Sequence, residues 1–204
     1  MRFTNIFDAV TNGTTDDVRH FIEKKGIGVN VTNDKGYTPL HFAAGKSSLA
    51  IAELLVSKGA NVNAKNRIGT PLHVAAHHGN IEVMQFLISN KANINAEDED
   101  FNTPLHYASN ASNLAIIELL ISSGANVNAK SNLGTPLHVA AMQVGNIEVA
   151  KFLISAGADV NAKGANGFTP LDAASQRKIW IWFNTCPRQQ KPFSLLPRKE
   201  PLKM

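Results

Sequence analysis

Three histidines, one cysteine and two asparagine triplets are the places where chemistry could begin in this sequence. His73 and His77 stand four residues apart with His78 beside them, and on a helix that spacing turns two imidazoles to one side, as a metal pair requires. No carboxylate or cysteine is placed to complete a site, and His73 is one of four histidines that recur in the same four-residue motif, so a structural duty outweighs a metal. Cys186 is the sole cysteine, which excludes an internal disulfide and a cysteine-based zinc site. It has no histidine near it in the sequence to act as base, so a nucleophile is not supported. The chain has no glycine-rich phosphate loop, no G-x-S-x-G elbow and no H-E-x-x-H. The triplets starting at Asn12 and Asn110 are expected by chance in an asparagine-rich chain. No catalysis, metal or cofactor is expected.

Charge points the same way once it is located. The 204 residues carry 20 Lys and Arg against 16 Asp and Glu, a net of +4 that invites a nucleic-acid reading. Seven of those bases and one acid lie in residues 176–204, which leaves 13 against 15 in residues 1–175. The body therefore has no basic stripe to neutralise phosphates, and no nucleic acid is expected as a partner. At 44% hydrophobic the chain has enough apolar residues for a core. It holds no apolar run near the roughly 18 residues of a spanning helix, and its first residues lack the apolar region of a secretory signal. The cytoplasm is the expected compartment, with the nucleus or delivery into a host cell as alternatives.

The elements that must position any surface come from repetition. Thr-Pro-Leu-His occurs at residues 38–41, 70–73, 103–106 and 135–138, and a fifth copy at 169–172 ends in Asp172. Pro39, Pro71, Pro104, Pro136 and Pro170 follow one another at intervals of 32, 33, 32 and 34. Threonine before proline suits a helix start, because the hydroxyl can cap a free amide and Pro fits the first helical turn. Alanine pairs such as Ala75 and Ala76 make a first helix that packs closely. The second helix, with Ile81, Val83, Met84, Phe86, Leu87 and Ile88, is apolar nearly all round, so neighbouring units must stack to cover it. Gly59, Gly124 and Gly157 fall where a left-handed residue ends that helix, and Lys91 holds the same place in one unit. Residues 38–102 align with 103–168 as a doubled pair: 48–55 resembles 113–120, 79–83 repeats at 145–149, and Ser47 and Ser112 share a place.

The tetrad, the period and the Gly-Ala-Asn/Asp-Val-Asn-Ala close resemble the ankyrin repeat over roughly residues 1–175. That resemblance implies an α-solenoid of helix–turn–helix units joined by β-hairpin-like turns. Residues 1–35 read as a degenerate N-terminal capping unit, and residues 36–175 as four full repeats and part of a fifth. It also implies that the tetrad histidine braces its own threonine, and that the function is to bind another protein, as a monomer, through a concave face. The contacts in such a stack come from turn tips and exposed first-helix residues. The tips here carry Lys35 and Tyr37; Arg67 and Ile68; Asp98, Glu99, Asp100 and Phe101; Leu133; and Phe168. The first helices offer Lys46, His77, His78, Asn110, Met142 and Gln143. The tips at 66–69 and 131–134 are one residue shorter than the others, and Phe101 stands where the family has glycine. The acidic run at 97–100 is read as a solvated loop or as a fingertip that steers a basic partner.

Residues 176–204 depart from the repeat and hold both tryptophans and four of the nine prolines. Three readings stand. Residues 179–183 replace a missing cap; the segment anchors the chain to a partner or membrane surface, where Trp beside Lys and Arg is favourable; or it is an altered terminus, disordered past Pro187. The anchor makes a second functional reading, a scaffold held in place by its tail and directed at a host by an intracellular bacterium. The Asn-, Ile- and Lys-rich usage of an AT-rich genome fits that reading.

Overall fold

A computed structural model describes residues 3–143 and 146–176, and among them every regular element is a helix. The readings that fall on residues 177–204, cap, anchor or altered terminus, lie outside the described residues. Eleven helices alternate short and apolar. The first pair is α1 (Ile6–Asn12) and α2 (Thr15–Glu23). Four pairs follow: α3 (Pro39–Gly45) with α4 (Leu49–Ser57), α5 (Pro71–His78) with α6 (Ile81–Ser89), α7 (Pro104–Ala111) with α8 (Leu114–Ser122), and α9 (Pro136–Ala141) with α10 (Ile147–Ser155). Then comes α11 (Pro170–Gln176), which packs on α9. First helices form one row (α1, α3, α5, α7, α9, α11) and second helices a row behind it (α2, α4, α6, α8, α10), each helix touching the next in its row. The stack is the expected α-solenoid.

The core runs the length of the stack as one cluster. In the second helices only a narrow stripe is fully covered, as with Val83, Met84 and Leu87, or Ile116, Ile117 and Leu120. Ile81, Phe86 and Ile88 are only partly buried against it. The alanine pairs Ala43 and Ala44, Ala75 and Ala76, and Ala140 and Ala141 are wholly buried, which lets the first helices approach closely.

Each tetrad starts its helix with a reciprocal capping box, in which the threonine side chain meets the N–H three residues on, as the sequence implies, and the side chain there caps the threonine N–H in return. In the helix at Pro71 the Thr70 backbone N–H donates to His73 Nδ1 (3.0 Å), and the Thr70 hydroxyl reaches the same nitrogen at 3.0 Å. The imidazole caps the chain and the hydroxyl orients the imidazole. Nδ1 is then the acceptor, so Nε2 carries the proton, and it donates to the Asn102 carbonyl at 3.0 Å, the residue just before the next threonine. His41, His106 and His138 do the same toward Gly69, Gly134 and Phe168. Burial pushes the pKa of His73 and His106 down to about 4, and lowers those of His41 and His138, so the relay is neutral. The fifth unit replaces the ring with a carboxylate: Asp172 accepts from the Thr169 N–H at 2.8 Å and hydroxyl at 2.7 Å. Thr14 and Asp17 make the same box at the start of α2.

A second relay joins the far ends of the units. Asn63 donates from Nδ2 to the Lys91 carbonyl (3.1 Å) and accepts at Oδ1 from the Asn93 N–H (2.7 Å). Asn30, Asn95 and Asn128 repeat that bridge to the helix-ending residues Gly59, Gly124 and Gly157. The left-handed turns that receive it have φ of +88° at Gly59, +66° at Lys91, +97° at Gly124 and +93° at Gly157.

Candidate binding face

The tips between units form the edge of this scaffold, and two turn designs alternate along it. In the short tips, Asn66 and Gly69 exchange both backbone hydrogen bonds (3.0 and 3.1 Å), as do Ser131 and Gly134 (2.8 and 3.0 Å). Gly69 has φ +99°, and a Cβ there would lie 2.6 Å from the His73 ring, so only glycine fits above the relay. The long tips insert one residue, and the left-handed position moves one place back from the threonine. Phe101 occupies it at φ +62°.

Neighbouring tips are bonded to one another. The Asn132 N–H donates to the Asp100 carbonyl at 3.0 Å and its side-chain amide to Asp100 Oδ1 at 3.2 Å, while the Glu99 N–H reaches the Arg67 carbonyl at 3.5 Å. Arg67 and Glu99 also pair at 3.4 Å, but both side chains are mostly exposed, so water and salt screen the pair. Ile68, Phe101, Leu133 and Phe168 are the exposed large apolar residues among those described, at 36%, 52%, 55% and 41% exposure, and all four stand on tips. Such surface favours a partner that can cover it.

The residues expected at this face divide into three groups. Lys35, Lys46, Arg67, His77, His78, Glu99, Asp100 and Asn110 are exposed, as are the four apolar tip residues. Tyr37, Met142 and Gln143 are half-buried: Tyr37 rests edge-on to His41 and Phe42, and Gln143 Nε2 donates to Asn110 Oδ1 at 2.7 Å. Asp98 is turned inward, at 5% exposure, instead of standing at the acidic tip. Its Oδ1 accepts from the Asp100 and Asn102 N–H groups (2.9 and 2.8 Å), and its Oδ2 from Asn102 Nδ2 (3.2 Å) and the Tyr107 hydroxyl (2.8 Å). Burial alone would raise the Asp98 pKa, but these donors hold it below the usual value; burial and the Asp98 bond push the Tyr107 hydroxyl well up. The outward acids are Glu97, Glu99 and Asp100.

Behind the tips, two clefts adjoin along the first helices. One, of about 240 Å³, lies among His77, Asn102, Tyr107, Asn110, Leu133 and Val139. The next, of about 260 Å³, is bounded by Leu133, His138, Met142, Phe168 and Ala173. Leu133 is the wall between them. Both are smaller than the pockets that enclose a whole small-molecule ligand, and each suits a single inserted side chain. His73 and His77 do not make a metal pair, because His73 is wholly buried with both ring nitrogens bonded, and His77 packs edge-on to Tyr107 at 5.9 Å.

Sequence reasoning missed the asparagine relay and the inward turn of Asp98. Both had a signal in aligned columns. Asn30, Asn63, Asn95 and Asn128 recur at one place in the unit, and Asn33, Asn66, Asp98 and Ser131 all open a tip. Asn33 accepts the Lys35 and Tyr37 N–H groups (both 3.0 Å) just as Asp98 accepts those of Asp100 and Asn102.

No helix among the described residues is long and apolar enough to cross a membrane. The chain is similar to alpha-latrocrustotoxin-Lt1a of Latrodectus tredecimguttatus, at 40% identity over 29% of this chain and 4% of the toxin. It is 56% identical to ankyrin repeat protein OPG189 of monkeypox virus, over 17% of this chain and 6% of that protein. It is 37% identical to human scaffold protein ILK, over 31% of this chain and 14% of that protein. The chain thus spans only a small part of each of these relatives. A model of ankyrin repeats in three copies matches residues 6–98 and again 97–164, and with the stacked helix pairs this places the chain in the ankyrin-repeat family.

Proposed function

We propose that the chain is a non-catalytic scaffold that grips another protein by its concave face, with the third to fifth tips as the principal contact. The observation that carries this reading is the row of exposed Ile68, Phe101, Leu133 and Phe168, the first three on tips bonded one to the next. Apolar anchors beside recessed clefts are how binding energy is concentrated in a few residues. Glu97, Glu99 and Asp100 flank the row and select against acidic partners. The similarity to a protein named a scaffold supports the class and names no partner. The test is affinity capture with the full chain, identification of the captured protein, and measurement of its affinity for Leu133→Ser and Phe101→Ser. Each should weaken binding about tenfold or more while the helical circular dichroism is unchanged. A captured protein indifferent to both changes would place the binding face elsewhere.

A further inference from the structure

We propose that Asn166 is a site of self-modification, at which the chain deamidates through its own backbone and alters the fifth tip. Asn166 and Gly167 make one of two Asn-Gly pairs in the chain, the other being Asn12 and Gly13. Glycine has no side chain to shield its backbone nitrogen from the asparagine before it. The two pairs share that local chemistry, and the fold sets them apart.

The fifth tip is a long tip without its brace. Asn33 opens the first long tip and accepts the Lys35 and Tyr37 N–H groups, and Asp98 does the same for those of Asp100 and Asn102. In the fifth tip that place is Gly164, which offers the N–H groups of Asn166 and Phe168 no side-chain acceptor. Backbone alone closes the turn: the Gly164 N–H donates to the Phe168 carbonyl and the Gly167 N–H to the Gly164 carbonyl, both at 2.9 Å. Asn166, Gly167 and Phe168 are exposed, and a Cβ at Gly167 would meet nothing within 4 Å, so its nitrogen stands in open space. An exposed turn held this way opens readily.

Asn12 and Gly13 are the counter-case. Asn12 is the last residue of α1, and the Gly13 N–H is bonded to the Ala9 carbonyl at 2.8 Å. The Ala9 carbonyl, the Phe3 ring and the Asp17 carboxylate would stand 2.6, 2.8 and 3.0 Å from a Cβ there. Ring closure at that site must unwind the end of the helix and displace these groups.

The step is an internal acyl transfer. A base in solvent takes the Gly167 amide proton, the nitrogen bonds to Asn166 Cγ, and the Cγ–Nδ2 bond breaks, with Nδ2 leaving as ammonia. Water then opens the cyclic imide. Opening at Cγ gives aspartate; opening at the main-chain carbonyl gives isoaspartate, in which the chain runs through Cβ and Cγ. Either product puts a carboxylate on the cleft beside Leu133, Met142 and Phe168, where no lining residue is acidic. Isoaspartate also adds a methylene to the backbone inside the turn that Gly164 and Phe168 close, and so moves Phe168. The effect on a partner rests on the concave-face reading; the modification does not.

The test is the full chain held at neutral and at mildly alkaline pH, digested, and mapped by electron-transfer mass spectrometry, which tells aspartate from isoaspartate. Both products should accumulate at Asn166, faster at the higher pH, and at Asn12 about tenfold more slowly or less. In urea the two rates should converge. Gly164→Asp restores the missing brace and should slow Asn166 about threefold or more. No product at Asn166, aspartate without isoaspartate, equal rates at the two sites in the folded chain, a gap that persists in urea, or a rate blind to Gly164→Asp would each overturn the proposal.

Discussion

The short tip at residues 66–69 and the long tip at 98–102 make the same connection with opposite economies. The short one closes on itself by two backbone bonds and requires glycine at its left-handed position, because the His73 ring lies directly beneath. The long one shifts that position off the histidine, and the freed place holds a half-exposed phenylalanine in left-handed backbone. The long one also closes by two backbone bonds, from the Asp98 N–H to the Asn102 carbonyl (3.0 Å) and from the Phe101 N–H to the Asp98 carbonyl (3.4 Å), and Asp98 adds four accepted side-chain hydrogen bonds from its own turn and from Tyr107. One added residue thus moves the left-handed place off the histidine and lets Phe101 stand there, while the short tips present Ile68 and Leu133 from the place before their glycine. The lesson is that the histidine relay dictates the left-handed residue of a short tip and leaves that of a long tip free.

Both tips nevertheless hang from that relay, and removing it should give the largest effect. His41 holds the carbonyl of Gly69 in the short tip, His73 that of Asn102 in the long one, and His106 that of Gly134. The folded pKa values of His73 and His106, about 4, lie below the ordinary 6.5 because burial disfavours the cation. A depressed histidine contributes stability above its unfolded pKa and loses it as pH falls toward the folded one. Between pH 6.5 and about 4 the unfolded chain takes up protons that the folded chain refuses, and each of the two rings gives up on the order of 3 kcal/mol. Urea midpoints measured at pH 7 and pH 4.5 should therefore drop steeply, and long and short tips should open together in hydrogen exchange. A midpoint that is flat over this range would mean that the rings accept protons in place.

The next effect separates the two tips. Asp98→Ala strands three N–H donors and the Tyr107 hydroxyl in a largely buried site, and should cost about 2–4 kcal/mol. Asn66→Ala removes one accepted bond, from the Ile68 N–H, together with an Nδ2 that has no partner, and should cost about 1 kcal/mol or less. Chemical denaturation of the two variants checks the order. Equal losses would mean that the Asp98 side chain adds no more to the long tip than Asn66 adds to the short one.

How much of this could be read from the chain depends on where each residue's partner lies. Features whose cause is local were legible. The tetrads mark the helix starts, glycines and Lys91 mark the left-handed helix ends, and Phe101 was singled out as standing in a glycine position. Features whose partner lies in another unit were hidden, because Asn63 bonds to residues 28 and 30 positions away and nothing adjacent to it announces that. The threonine cap is local and was legible, but the imidazole that caps the threonine N–H in return also reaches the next unit, a contact that nothing adjacent announces. Asp98 was read with the acids around it, although its column, shared with Asn33 and Asn66, marks it as a turn acceptor.

Phe101 should show a smaller effect of opposite sign in two assays. Phe101→Gly relieves a left-handed non-glycine residue and should raise stability by about 1 kcal/mol. It also removes a large exposed apolar side chain from the proposed face, so partner affinity should fall while the melting temperature rises. A variant that gains stability and keeps its affinity would show that the aromatic is tolerated there and is not displayed for binding.

Lys91 supplies the control for that trade. It has nearly the same backbone as Phe101, φ +66° against +62°, but it ends a second helix, away from the tips. Its carbonyl accepts the Asn63 amide, a bond that belongs to the backbone and survives any change of side chain. The matching positions in three other units are Gly59, Gly124 and Gly157, and a Cβ at each of them meets nothing within 4 Å, so the strain at Lys91 is conformational and not a collision. Glycine also gains freedom in the unfolded chain, which offsets part of the relief. Lys91→Gly should therefore stabilise by about 0.5–1 kcal/mol, the smallest of these effects, and leave partner affinity unchanged. Denaturant midpoints beside a binding titration decide it: if Lys91→Gly also weakens the partner, stability and display are not separable in this stack, and the contrast drawn between Lys91 and Phe101 fails.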